Sequence, residues 1–443
     1  MSWPFAPFQR LARRIARPTG KRSGIEAGAP GRRWTGASTV TDPRNSTLVA
    51  RGPAAARATA AVLNSPQGAR IEEAWASALV GKGWQARSRH PDADTARTLS
   101  AAFELVVAQH LVTLARAVVR DGEAFARLRI GPDDRMRLQL IPAEQVDPTL
   151  TRDLGNGARI VSGIEFDADG EVVAYHVLPE APGTPFTAYL AAVRVPARDM
   201  LHVFDPLFPG QVRGLSWLAP VLLKMRDRDG ASDALLMQLK TASLLTGFIR
   251  DPDGTFAGFE GEAQGNALNV ALEPGAMRIL PQGADVTFST PGSGLAQAVE
   301  FMRAQDREIA AGAGLTYEQL TGDLSEANYS SARVGLLEFR RRAEMLQKTL
   351  IEGQFLAPLW RRWIEVEALA GRIEATGAAR DDFMAVRFVA PGWQWVDPAK
   401  EVAADVAAIE AGLKSREEVV AGRGRDIDEL DAERARDAGG EAA

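Results

Sequence analysis

The four histidines of this 443-residue chain, His90, His110, His176 and His202, stand far apart and form neither an HExxH nor an H-x-H pair. Their spacing therefore supports no sequence-local metal site. Cysteine is absent, which removes disulfides, thiolate nucleophiles and cysteine-based zinc or iron–sulfur centres and fits a protein that matures in a reducing cytoplasm. No GxxxxGK[ST] loop, strand–GxGxxG–helix unit or GxSxG elbow occurs, so an ATP motor, a dinucleotide enzyme and a serine hydrolase lack support. Gly312-Ala313-Gly314 follows an expected helix and reads as its C-terminal break, not as a phosphate cradle. The acids at Asp167 and Asp169 lack the twelve-residue calcium loop and its closing Glu, and read as a turn. No spacing nominates a carboxylate pair for acid–base work. The densest polar segment is GLTYEQLTGDLSEANYSSAR, from Gly314 to Arg333. By pattern alone it is an interhelical loop whose Ser330 caps the next helix.

The flanking elements follow from periodicity. Val62, Ile71, Ala74, Trp75, Ala78 and Leu79 predict helix from Arg57 onward, ended by Gly81 and Gly83 before a strand-like Trp84–Arg87. A single helix is expected over Thr98–Asp121, with His110 as a hydrogen-bonded core histidine on its apolar face. Short alternating runs at Ala124–Ile130, Met136–Ile141, Gly163–Phe166 and Glu171–Leu178, with an Asp169-Gly170 hairpin, predict an antiparallel β subdomain closing near Met200–Phe204. Val221–Leu245 then reads as a helix about 37 Å long at 1.5 Å per residue. Strands are expected at Ala276–Leu280 and Asp285–Phe288, and a second helix at Gly294–Ala313. A β insert between two neighbouring helices sits at the far end of a stalk.

A further helical region runs from Ser331 towards Gly371, interrupted near Gly353 and Pro358. The aromatic stretch Val386–Val396, with Trp393 and Trp395, is β-prone; Pro398 starts a helix through about Ala411, and Ser415 caps another. Beyond Arg425 the acidic composition predicts disorder.

The length predicts two or more packed units, and 46% apolar with 25% charged residues is ordinary for a soluble globular protein. No apolar run reaches the roughly 18 residues of a membrane span, and MSWPFAPFQRLARRIAR has no signal h-region, so a soluble chain without a membrane partner or cleaved signal is expected. The net charge of −5 argues against a surface that grips phosphate throughout. Charge is uneven: the first 34 residues hold eight Lys/Arg and one acid, Glu26, whereas Glu401–Ala443 holds twelve acids and six bases. Phe5, Phe8, Leu11 and Ile15 lie at helical spacing beside Arg10, Arg13, Arg14 and Arg17, which predicts a short basic amphipathic helix followed by an extended arm, either a docking arm or a frayed end.

The run Gly314–Asp323, followed by Asn328-Tyr329-Ser330-Ser331-Ala332-Arg333, closely resembles the segment G-[LV]-x-Y-E-x-L-[ST]-x-D…N-Y-S-S-x-R of lambda-type tailed-bacteriophage portal proteins. Its matching positions are Tyr317, Glu318, Asp323, Asn328, Tyr329, Ser330, Ser331 and Arg333. Arg213-Gly214-Leu215-Ser216 resembles the family's R-G-x-S element, and Leu272–Leu280 its L-x-P-G-x-x-x-x-L segment. The resemblance covers roughly residues 50–400 and is strongest over 200–370; the N-terminal arm and acidic tail match poorly.

That resemblance implies an α+β, portal-type subunit with long helices, an antiparallel β wing, a two-helix stem bearing a small β-containing clip, and a helical C-terminal crown. Its expected divisions are a basic arm (1–56), wing (57–220), first stem helix (221–247), clip (248–292), second stem helix (293–313), tunnel loop (314–330), long wing helix region (331–385) and a crown-side segment with an acidic tail (386–443). Gly322, Asp323, Ser325, Glu326, Asn328, Tyr329 and Ser330 would face DNA in the channel. The implied partners are copies of the chain, as a dodecamer, and double-stranded DNA, the terminase large subunit, major capsid and scaffold proteins, and head–tail connector proteins. The implied location is the virion's portal vertex, after assembly in the bacterial cytoplasm. No cofactor or catalysis is expected. The competing readings are a metal-dependent nucleic-acid-processing enzyme and an intracellular scaffold or adaptor without a channel.

Overall fold

The computed structural model describes residues 42–184, 191–243, 247–250, 262–264, 267–269, 285–288, 295–325, 329–377, 379–393 and 398–440. The chain divides into compact units 1–43 and 44–443, and the described residues lie almost wholly in the second. The basic amphipathic helix expected near the N-terminus, the strand expected at 276–280 and Trp395 lie outside the described residues.

Helix begins earlier than its spacing suggested. α1 (Pro43–Asn64) takes in residues 43–56 of the expected arm, because its alanines favour helix and it buries Arg51, Ala54, Ala55 and Ala58 on one face. Pro66 opens α2 (Pro66–Val80), where a missing N–H costs nothing. After β1 (Gln85–Ser88), the single helix expected over 98–121 is two, α3 (Ala93–Val107) and α4 (Leu111–Asp121), bent by 46°. Asp92 caps α3 by accepting from the Thr95 N–H at 2.8 Å. His110 is no core histidine: it is half-buried at the break, as the N-cap residue of α4, and burial lowers its pKa. Among the described residues no single helix is long and apolar enough to cross a membrane.

The middle of the chain supplies two antiparallel sheets. β2 (Glu123–Ile130), β3 (Met136–Ile141) and, later, β9 (Met200–Phe204) form one, in the order β3-β2-β9. Between β3 and β9 a five-stranded meander runs in sequence order: β4 (Arg152–Gly155), β5 (Ala158–Val161), β6 (Ile164–Phe166), β7 (Val172–Val177) and β8 (Val193–Pro196). The hairpin at Asp169-Gly170 forms as expected, with Gly170 at φ +86°. Phe125, Ile141, Val146, Ile164, Tyr175, Val195 and Met200 bury a small core against the sheets.

α5 (Leu222–Ser243) leads to β10 (Gly247–Arg250), β11 (Glu262–Gln264), β12 (Ala267–Asn269) and β13 (Asp285–Phe288), and α6 (Leu295–Ala313) follows. β10 pairs antiparallel with β13 and β11 with β12, so the strand pairs lie between two neighbouring helices. α7 (Tyr317–Thr321) precedes α8 (Tyr329–Leu346), which continues through a π-helical stretch, Gln347–Leu356, into α9 (Ala357–Leu369). That stretch contains Gly353, and Pro358 sits in the first turn of α9, so the interruption falls where those residues predicted it. Trp75, Phe103, Leu114, Phe355, Trp360 and Ile364 of the main core are buried between α2, α3, α4, the π-helical stretch and α9.

After α10 (Ala379–Met384), β14 (Val386–Val389) pairs with β1. α11 (Pro398–Glu410) and α12 (Arg416–Gly422) match the sequence reading, with Ser415 accepting from the Glu418 N–H at 3.0 Å. The acidic tail departs from it: α13 (Ile427–Gly440) is helical where disorder was expected. Asp426 caps it by accepting from the Asp428 N–H at 2.9 Å, and Arg425, Arg416 and Arg87 pair with Glu433, Asp431 and Glu429.

Candidate functional site

The R-G-x-S element lies where two backbones cross. Gly122 ends α4 in the left-handed region, at φ +89°, and a Cβ there would meet Leu215 C at 2.1 Å. A Cβ on Gly214 would meet Gly122 O at 2.1 Å, so only glycine fits either side of the crossing. Beside it the Arg213 side chain is fully buried. Its Nη2 donates to Glu123 Oε1 at 2.7 Å and its Nε to both carboxylate oxygens at 3.0 Å. Ser162 O and Ala143 O accept from its remaining N–H groups at 2.7 and 2.8 Å. Glu123 also accepts from Arg51 at 2.9 Å and from the Gly214 N–H at 2.9 Å, and lies 3.1 Å from His202 Nε2. His202 stacks on Phe125 and Phe204, with centroids at 4.2 and 4.6 Å.

Burial alone would raise the Glu123 pKa, but the Arg213 charge and the bonds from His202 and Arg213 hold it well below the usual carboxylate range. Burial lowers the His202 pKa, with Glu123 opposing part of that shift. Every donor of the Arg213 fork thus meets an acceptor, and the cluster ties α1, β2, β9 and the approach to α5 together. Its chemistry is positional. Sequence reasoning singled out Arg213 but missed Glu123, Arg51 and His202. The signal available was that a buried guanidinium demands a carboxylate from elsewhere in the chain.

α5 and α6 are fastened side by side. Arg228 donates to Asp306 at 3.0 and 3.3 Å, and Lys224 pairs with Glu308 at 2.7 Å. Their surfaces nonetheless expose Leu223, Leu236, Met237, Val299 and Phe301, each at least half accessible.

The polar segment after α6 is only partly a loop. Thr316 and Gln319 form a capping box on α7: the Gln319 N–H donates to Thr316 Oγ1 at 3.2 Å and the Thr316 N–H to Gln319 Oε1 at 2.9 Å. Buried Leu315 and Leu320 anchor the turn, and Arg70 Nε donates to Gln319 O at 2.6 Å. Gly322 ends α7 at φ +73°, its N–H donating to Glu318 O at 2.8 Å. Tyr317 Oη donates to Asp323 Oδ2 at 3.3 Å and the Ser325 N–H to Asp323 Oδ1 at 3.0 Å. These contacts, Ser325 first, hold the Asp323 carboxyl below its ordinary value.

The structure therefore brings Tyr317, Gly322, Asp323 and Ser325 together beside Glu318 on one capped turn. Glu326 and Asn328 lie outside the described residues. Tyr329, Ser330 and Ser331 begin α8, which starts two residues before the expected Ser331. Arg333 turns to another element, with Glu401 of α11 at 4.0 Å.

Antiparallel sheets and many helices define an α+β fold that is also found in a subunit of the neck of an empty gene transfer agent particle. That similarity has a TM-score of 0.50 at 19% identity and covers 87% of this chain and 95% of the other. Residues 30–347 match the family described as "Phage portal protein, lambda family", and the chain belongs to that family. The chain is 29% identical over 328 residues to the probable portal protein of Halomonas phage phiHAP-1, across 71% of this chain and 62% of that one. It is 25% identical over 318 residues to portal protein B of Escherichia phage lambda, across 64% of this chain and 59% of that one. The aligned part thus spans about three-fifths of the length of these relatives.

Proposed function

We propose that this chain is the portal subunit of a tailed phage or phage-like particle, forming a ring at one capsid vertex through which double-stranded DNA is packaged and ejected. Family membership over residues 30–347 supports the class. The observation that carries the mechanism is the α5–α6 stalk, whose exposed Leu223, Leu236, Met237, Val299 and Phe301 suit burial against identical neighbours around a closed ring. In this reading residues 57–220 and 331–385 form the wing, 221–247 and 293–313 the stem, 248–292 a clip that docks terminase and later the head–tail connector proteins, and 386–443 the crown side. The ring is a dodecamer that meets the major capsid and scaffold proteins, assembled in the bacterial cytoplasm and retained in the virion.

The turn at Gly322, Asp323 and Ser325, with Glu326, Asn328, Tyr329 and Ser330 beyond it, is the tunnel loop. Small polar groups and carboxylates let a duplex slide because they offer phosphates no fixed cation. The role is passive: terminase does the ATP-driven work and the portal supplies docking ring, channel and gate. Negative-stain microscopy of the purified full-length chain tests this. Closed rings with a hole wide enough for a duplex about 20 Å across are expected, while uniform closed dimers, or ATP hydrolysis by the subunit alone, would overturn it.

A further inference from the structure

β1 and β14 form a two-stranded ribbon in which Arg87 stands directly opposite Arg387. Like charges in that position destabilise a strand pair unless something neutralises them. Arg89 continues the same face two residues on, its N–H donating to Ala385 O at 2.8 Å. The opposite face carries buried Ala86 and the core-packed Phe388, so all three arginines lie on the side away from the core.

Carboxylates from the C-terminal helices answer them, and Glu104 of α3 shares Arg87, at 3.0 Å. Glu417 of α12 pairs with Arg387, and with Arg89 at 3.4 Å; Glu429 of α13 pairs with Arg87 at 2.7 Å. Their other ties run to α11 and to each other: Arg423 donates to Asp405 at 2.8 Å, and Val419, Val420 and Leu430 face Val402, Val406 and Ile409. α12 buries no residue, and every described side chain of α13 is at least partly exposed. Their firm anchor is a backbone crossing at Gly392, where a Cβ would meet Arg423 C at 2.1 Å. Beyond it a cavity of about 790 Å³ opens between α13 and the ribbon, where Arg87, Arg89 and Arg97 face Asp426, Asp428 and Glu429.

We propose that the Arg87–Arg89–Arg387 ribbon is a binding surface for the phosphate backbone of double-stranded DNA, and that acidic α12 and α13 are its intramolecular occupant, displaced when DNA binds. Exposed ion pairs are weak and screened by salt, whereas a duplex presents closely spaced phosphates and gains by releasing counterions. The anchor at Gly392 lets the helices leave the ribbon and stay attached. The choice of DNA as the phosphate polymer rests on the portal reading.

Fluorescence anisotropy with a mixed-sequence duplex tests the exchange on the full chain. Glu417→Gln/Glu429→Gln is expected to bind about fivefold tighter at low salt, with a salt slope steeper by about two to three. Adding Arg87→Gln/Arg89→Gln/Arg387→Gln removes that gain, whereas Arg129→Gln/Arg135→Gln/Arg152→Gln, three exposed changes elsewhere, leaves it. No gain, or a gain that survives the ribbon changes, overturns the proposal. Hydrogen exchange on the unaltered chain gives a second reading independent of variant folding: DNA should speed exchange across 416–440 and slow it across 85–89 and 386–389. Unchanged or increased protection of α13 overturns the exchange. Rings with no DNA-driven change would sink this inference alone, and DNA exchange on a chain that forms only dimers would sink the portal reading alone.

Discussion

Two regions of this protein use the same arginine–carboxylate chemistry in opposite surroundings. At the backbone crossing, Arg213 and Glu123 are wholly buried, and the fork is completed by main-chain carbonyls. On the C-terminal ribbon, Arg89 and Glu417 are both nearly half exposed and meet at 3.4 Å. Water decides the difference. Removing one partner of a buried pair strands an uncompensated charge, whereas an exposed pair exchanges its partner for solvent at little cost. The crossing behaves as a fixed joint and the ribbon as a contact that can be traded.

The sharpest way to break that contrast is Arg213→Met, which should destabilise the fold by about 3–5 kcal/mol in urea unfolding. Arg213→Lys should recover little, because an ammonium cannot reproduce the planar fork. Gly122→Ala should cost about 2–3 kcal/mol through its left-handed backbone, with the close approach of Leu215 adding to it. A smaller loss, about 1.5 kcal/mol, is expected for Arg228→Gln, which removes a charged hydrogen-bond donor between α5 and α6.

Acidification should also act on the joint. The folded-state pKa values of His202 and His110 are lowered, so below about pH 6.5 the unfolded chain binds more protons and stability falls as pH drops. Glu123, also lowered, adds its loss at more acidic pH, from the ordinary carboxylate range downward. His202→Gln should flatten the slope of urea midpoint against pH between about 7.5 and 5.5; an unchanged slope would exclude His202 as a contributor. The smallest effect belongs to the ribbon. Glu417→Gln should shift stability by no more than about 1 kcal/mol, and a loss as large as that of Arg213→Met would erase the distinction between joint and trade.

Where local chemistry sufficed, the sequence was readable to the residue. β3 has the bounds its alternation predicted, β9 lies where the β subdomain was expected to close, the Asp169-Gly170 turn and the Ser415 cap are in place, and the interruption between α8 and α9 falls at Gly353 and Pro358. The misses share a cause. β4 is exposed at every residue and carries no alternating apolar signal. The continuous apolar face over 98–121 hid the turn at Ala108–His110. α13 looked too acidic to fold because the arginines that answer its carboxylates, Arg87 and Arg416 among them, belong to other elements.

The sequence alone determined the α+β class, the two helices that precede and follow the short strands, and the family, because periodicity, caps, turns and the motif over 314–333 are written in neighbouring residues. Only the tertiary structure decided that Arg213 would meet Glu123, ninety residues away, and that Arg87 would face Arg387 across a ribbon. Charge pairing depends on which backbones cross, and separation along the chain does not encode that.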